Sequence, residues 1–191
     1  MKIKSLLFVS LLLLVACQGQ DRSPIEISMY NSSDDSIGKA ILSEESDGVK
    51  IKISAEGLEP GLHGIHVHEN AKCEGPDFKS AGNHYDPNGN EHGLMHPDGA
   101  HLGDLPNVEV SADGTIDAEL TLSGATLTDG KTSLLKEDGT SLIIHEKQDD
   151  GVSQPAGDAG KRMACGVISL DEANQDDAPT DPTETNEEKE E

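Results

Sequence analysis

The chain has 191 residues, 34% of them hydrophobic and only 2% aromatic, with a formal net charge of −23. That acidity argues against nucleic acid, whose binders need a basic face, and against broad electrostatic adhesion to anionic lipid. With no tryptophan, and Phe8, Phe78, Tyr30 and Tyr85 as the aromatic residues, any core must be built from Ile, Leu and Val.

Residues 1–16 carry Lys2 and Lys4, then an apolar run of eleven apolar or small residues from Leu6 to Ala16. A membrane-spanning helix needs about 20. Charge, apolar run and small residue before Cys17 instead fit a secretory signal that is removed. The segment Leu14-Val15-Ala16-Cys17 resembles a bacterial lipobox, in which the cysteine is lipidated and becomes the mature N-terminus. The alternative is an ordinary signal peptide and a free cysteine. The lipobox implies an exported lipoprotein of the periplasm or cell envelope, with residues 17–24 as a lipidated linker to the membrane. Gln18 leans toward an outer membrane.

Residues 25–170 read as one all-β domain of about 145 residues, enough to bury a single core. Apolar residues alternate over Ile25, Ile27 and Met29, over Val49, Ile51 and Ile53, over Ile65 and Val67, over Val108 and Val110, and over Ile116, Ala118, Leu120 and Leu122. Period 2 means one buried and one wet face. The apolar runs Leu142-Ile143-Ile144 and Gly166-Val167-Ile168 follow. Asp47-Gly48, Pro60-Gly61, Asp113-Gly114 and Asp138-Gly139 mark turns between runs. Many short strands of this kind suggest a sandwich or barrel, and no stretch shows a helical period.

Residues 69–106 break the pattern. A loop of this length is functional or disordered in a compact domain, and its histidine content predicts that a bound group orders it. A second irregular stretch, 148–161, follows His145. Residues 171–191 hold ten acids and one lysine and no large apolar residue. They cannot offset their chain entropy by burial, and read as a disordered acidic tail that adds solubility. Metal collection by such a tail would be weak without His or Cys.

All eight histidines, His63, His66, His68, His84, His92, His96, His101 and His145, fall within the domain. His66 and His68 are two apart on a strand, so both rings take one face. His101 and Asp104 are three apart with Gly103 between them for a tight turn. Imidazole suits copper and zinc, while a carboxylate favours harder ions or completes a zinc site. The residues alone predict one nitrogen-rich site and one His-plus-Asp site, without dividing the loop histidines between them.

The motifs Gly61-Leu62-His63-Gly64-Ile65-His66-Val67-His68-Glu69, Gly82-Asn83-His84-Tyr85-Asp86-Pro87, His101-Leu102-Gly103-Asp104, His145-Glu146-Lys147-Gln148-Asp149-Asp150 and Gly160-Lys161-Arg162-Met163-Ala164-Cys165-Gly166-Val167-Ile168 together resemble the Cu,Zn superoxide dismutase family, in the family's order. The resemblance implies an eight-stranded antiparallel Greek-key β-barrel with long metal-binding loops. It implies copper at His66, His68, His84 and His145, and zinc at His84, His92, His101 and Asp104, with His84 as the bridge. It implies that Asp149 links a copper histidine to a zinc histidine, and that Arg162 stands beside the copper. Three cysteines allow three pairings, of which the resemblance implies Cys73 with Cys165. His63 then reads as a structural residue and His96 as loop.

The implied reaction converts superoxide to oxygen and hydrogen peroxide by alternate reduction and oxidation of copper, with His84 releasing the reduced metal and taking a proton. Steering of superoxide would be local to the copper channel and centred on Arg162. The competing class is an exported copper- and zinc-binding protein without turnover. The resemblance leaves monomer and homodimer open.

Overall fold

The computed structural model describes residues 23–97 and 99–170; the expected signal, Cys17 and the acidic tail lie outside them. Nine strands form: β1 Ile25–Asn31, β2 Ser36–Glu45, β3 Gly48–Ala55, β4 Gly61–His63, β5 Ile65–His68, β6 Val108–Val110, β7 Ile116–Ser123, β8 Thr140–His145 and β9 Arg162–Ile168. Among the described residues the one helical turn is a 3-10 segment, Lys79–Ala81.

In β1, β3, β6 and β7 burial follows the alternation, whereas β5, which also alternates in sequence, is buried on both faces. Ile25, Ile27 and Met29 of β1 and Val49, Ile51 and Ile53 of β3 are all buried in one aliphatic core. β8 is buried throughout because both of its faces are covered. Leu142 and Ile144 enter the barrel core, while Ile143 packs outside it with Phe78, Ala81 and Cys165 under the long loop. β2 is a long strand that alternation did not mark. Its buried residues Ile37, Ala40 and Leu42 change phase across Gly38, and the pairing with β1 shifts register between Met29 and Tyr30. Gly38 has φ 151°, and a Cβ there would stand 2.2 Å from the Ser54 carbonyl oxygen, so the close approach of β2 to β3 requires glycine.

Seven strands pair antiparallel in the order β5-β8-β9-β1-β2-β3-β7, with β4 and β6 paired separately. The links from β3 to β4 and from β7 to β8 cross the ends of the barrel, which gives the Greek-key path. Nine segments stand where eight strands were expected, because Gly64 divides one bent strand into β4 and β5. Its N–H donates to the Lys147 carbonyl and its carbonyl accepts from the His145 N–H, both at 2.8 Å. Gly64 thus turns the chain from the β4–β6 pair into the main sheet and ties it to the end of β8.

Three links among several stitch the long loop to the barrel. A Cys73–Cys165 disulfide, Cα–Cα 5.6 Å, fastens it to β9, as the resemblance implied. His68 and His84 form a strand-like bridge. The buried Tyr85 hydroxyl lies 3.0 and 2.9 Å from the carbonyls of Lys131 and Ser133 in the loop before β8.

The disulfide joins residues 92 apart. On the chain-entropy account, closing so long a loop contributes roughly 4 to 5 kcal/mol. Replacing both cysteines with serine is expected to lower unfolding free energy by about 2–5 kcal/mol in denaturant titrations of the metal-free chain. An unchanged midpoint would show that the remaining links suffice.

Candidate metal centre

The strand pair β5–β8 places the first group. His66 and His68, both buried, come from β5, and His145 ends β8 beside them. His84 arrives from the loop, its ring centroid 3.9 Å from that of His66 and 5.0 Å from that of His68. One ligand atom from each of these four histidines lies within 4.8 Å of the others.

Every ring in this group has one nitrogen committed to protein. His66 Nε2 faces Asp149 Oδ2 at 2.7 Å, and His68 Nδ1 faces the Gly82 carbonyl at 3.0 Å. His145 Nδ1 faces the Gly160 carbonyl at 3.5 Å, and His84 Nδ1 faces Asp104 Oδ1 at 2.8 Å. The remaining nitrogens, His66 Nδ1 and Nε2 of His68, His84 and His145, are buried with no hydrogen-bond partner. A buried nitrogen without a partner costs about 1–3 kcal/mol. Four of them in one cluster fit an ion that accepts lone pairs, and imidazole nitrogens in this number suit copper.

The second group shares His84. Its Nδ1 lies 2.8 Å from Asp104 Oδ1 and 3.4 Å from His101 Nδ1. His92 Nδ1 is 3.1 Å and His101 Nδ1 3.5 Å from Asp104 Oδ1. A tetrahedral zinc with bonds of about 2.0–2.1 Å needs ligand atoms about 3.3 Å apart, so these separations fit. Glycine-rich turns bring the ligands in: the Gly93 N–H donates to Asp104 Oδ2 at 2.9 Å, and Gly103 bonds Tyr85 and Val67 through its backbone.

Asp149 joins the groups. Its two oxygens face His66 Nε2 at 2.7 Å and His92 Nε2 at 3.1 Å. Nothing in the sequence motifs marked what holds Asp149. Asn107 does so, taking the Asp149 N–H on Oδ1 and donating from Nδ2 to the Asp149 carbonyl, both 2.8 Å. Gln154 clasps the His92 backbone in the same two-way manner at 2.9 Å. Single amide side chains carry no spacing signal, so sequence reading passed them by.

Beside the first group a mouth opens, lined by His68, His84, His145 and Arg162, with Glu69 and Asp86 at its edge. The Arg162 guanidinium is fixed by two carbonyls at 2.6 Å, Phe78 through Nη1 and Gly82 through Nη2. Lys161 instead points outward toward Glu146, 3.8 Å away. His63 is buried and belongs to neither group; its nitrogens are each 2.7 Å from a carbonyl, those of His145 and Glu59. His96 belongs to neither group and lies half-buried in the loop.

A Greek-key β-barrel that carries two ligand sets joined by one imidazole defines a two-metal β-barrel protein. The copper/zinc superoxide dismutase (SODC) family profile matches residues 36–168. The chain is 44% identical to superoxide dismutase (Cu-Zn) 2 of Aquifex aeolicus over 87% of its length and 98% of that protein. It is 44% identical to the Cu-Zn superoxide dismutase of Caulobacter vibrioides over 69% of this chain and 77% of that one. Among solved structures, a double mutant of a superoxide dismutase-like protein from Bacillus subtilis matches with TM-score 0.73 and 41% identity, covering 75% of this chain and 96% of that one. The Cu/Zn superoxide dismutase from Brucella abortus matches with TM-score 0.64 and 31% identity, covering 76% and 99%. The chain belongs to the copper/zinc superoxide dismutase family.

Burial disfavours the charged ring and brings His68 to about 2, His145 to about 3 and His84 to about 4, with mutual repulsion among neighbouring histidines adding to it. Burial opposes ionisation of Asp104 and Asp149 too. Contacts with His101, His84 and His92 outweigh it at Asp104, and contacts with His66, the Gly151 N–H and His92 at Asp149, so both carboxyls sit far below their usual range. Burial would also lower His92, yet the two carboxylates on its ring raise it.

The unfolded histidine titrates near about 6.5. Below that, the unfolded chain takes up protons that folded His68, His84 and His145 refuse, so folded stability declines as pH falls. The two aspartates add a loss of the same sign at lower pH. His92 acts oppositely, its contribution fading as pH rises through its folded value. The thermal midpoint of the metal-free chain is therefore expected to drop between about pH 7 and about pH 5; a flat or rising midpoint in calorimetry would contradict this.

Proposed function

We propose that the chain dismutates superoxide, with copper held by His66, His68, His84 and His145 and zinc held by His84, His92, His101 and Asp104. The observation that carries this is the set of buried, unpartnered imidazole nitrogens facing one another across a ring shared with the His-plus-Asp group. The relatives named as Cu-Zn superoxide dismutases support the same activity. When bound, copper supplies the one-electron couple that oxidises one superoxide to oxygen and reduces the next to peroxide, while zinc fixes the shared ring.

The chain's residues supply the rest. Arg162, pinned by Phe78 and Gly82, offers a fixed cation with forked donors to a small anion in the mouth. His84 keeps Nδ1 turned to Asp104, so Nε2 is the atom that takes up and gives back a proton on the mouth side. Asp149 holds the tautomers of His66 and His92 by accepting from Nε2 of each. Steering of the anion centres on Arg162, since the chain as a whole carries a net charge of −23.

Dismutation by the chain lacking residues 1–17, loaded with both metals, tests this directly. Rapid turnover is expected, with a loss of more than about 100-fold in His145→Ala, which removes a ligand rather than an outer partner. Tight binding of both metals without turnover would instead make the chain an exported metal carrier.

From residues 1–17 we further propose that the domain lies outside the cytoplasm. Residues 1–16 direct export, Cys17 carries lipid, residues 17–24 tether the domain 25–170 to a membrane of the cell envelope or periplasm, and the acidic residues 171–191 keep it soluble. Lipid insertion favours this anchoring because a single chain binds only marginally and lipoproteins of this type carry more than one. Fatty-acid labelling of the chain in a bacterial host should mark it and send it to the membrane fraction. A Cys17→Ser variant that keeps both label and membrane association would overturn the anchor.

A further inference from the structure

We infer that Glu69 is a positioning residue for the copper group: its carboxylate acts through the one peptide unit between Gly82 and Asn83 to set the hold on both His68 and Arg162. The inference rests on the copper set proposed above. Glu69 directly follows the His66-Val67-His68 strand and continues its pairing, its N–H donating to the Asn83 carbonyl at 2.9 Å. Its Oε1 accepts from the Asn83 N–H at 2.9 Å and from Asn83 Nδ2 at 3.2 Å. That N–H shares its peptide plane with the Gly82 carbonyl. The carbonyl oxygen in turn accepts from His68 Nδ1 at 3.0 Å and from Arg162 Nη2 at 2.6 Å.

An anionic acceptor at the N–H end of a peptide polarises the whole unit and makes its carbonyl a stronger acceptor. A stronger bond at His68 Nδ1 fixes that ring's tautomer and raises the basicity of Nε2, the nitrogen left without a partner. The same oxygen locates the guanidinium. One charge thus acts on a metal ligand and on the anion-facing arginine together.

Gly82 makes the geometry accessible. It holds φ 78° and ψ −150°, a region almost confined to glycine, and a Cβ there would stand 2.6 Å from Glu69 Oε1. The carboxylate lies across the glycine where any other residue would push it off. Asp86, the other acid at the mouth, bonds the Asn88 N–H at 3.2 Å and makes no hydrogen bond to the peptide between Gly82 and Asn83.

The test compares the parent chain with Glu69→Gln, which keeps shape and an acceptor but removes the charge. In the zinc-loaded chain, the His68 Nδ1–H proton resonance should move upfield, while the His66 Nε2–H resonance on Asp149 stays in place. Copper affinity, read by chelator competition, should fall about tenfold with zinc affinity unchanged. A His68 resonance that does not move, together with copper affinity within about twofold of the parent, would overturn the inference. So would equal weakening of both metals, which would mark general loosening of the loop. Neither readout needs turnover, so a chain that binds copper without dismutating superoxide would sink the functional reading and leave this one standing.

Discussion

Everything in this molecule is arranged around one buried ring. His84 presents Nδ1 to Asp104 and His101 and leaves Nε2 among the open nitrogens of His66, His68 and His145. Imidazoles that close would repel if charged, and burial holds His68, His84 and His145 well below the usual histidine range. Neutral rings with their outward nitrogens bonded to protein have one lone pair left each, aimed inward. Such a site has a cost when empty and a use when filled, which is the energetic signature of metal binding coupled to folding.

The barrel exists, for this purpose, as a rigid frame. Its aliphatic core fixes β5 against β8, so His66, His68 and His145 have no freedom to drift apart. The other ligands come from a loop that has little apolar surface of its own. The disulfide, Tyr85 and the bridge from His68 to His84 hold that loop to the frame. Asp149 couples the two, since Asn107 fixes it from the base of β6 while its oxygens orient one ring of each metal group. Rings that must stay within fractions of an ångström are thus held by groups that are themselves held.

Much of this was legible in the sequence. Alternation marks β1, β3 and β7 because one face of each meets the core. The histidine set and its order in the chain carried the ligand groups, and Cys73 and Cys165 meet as the resemblance implied. β2 escaped because Gly38 and the register shift beside it break the period that a pattern search relies on. The strand count came out one higher because Gly64 splits a single bent strand, a division that depends on two backbone hydrogen bonds to distant residues. Asn107, Gln154 and the carbonyls of Gly82, Phe78 and Gly160 stayed invisible for a common reason. Backbone oxygens have no sequence identity, and a lone amide acquires its role only from the fold around it.

In the proposed function two different metals sit on opposite nitrogens of His84. Anomalous diffraction from crystals of the chain grown with copper and zinc, collected at both absorption edges, tests it most directly. One copper peak is expected among His66, His68, His84 and His145 and one zinc peak among His84, His92, His101 and Asp104. A single peak, or metal bound away from His84, would contradict it.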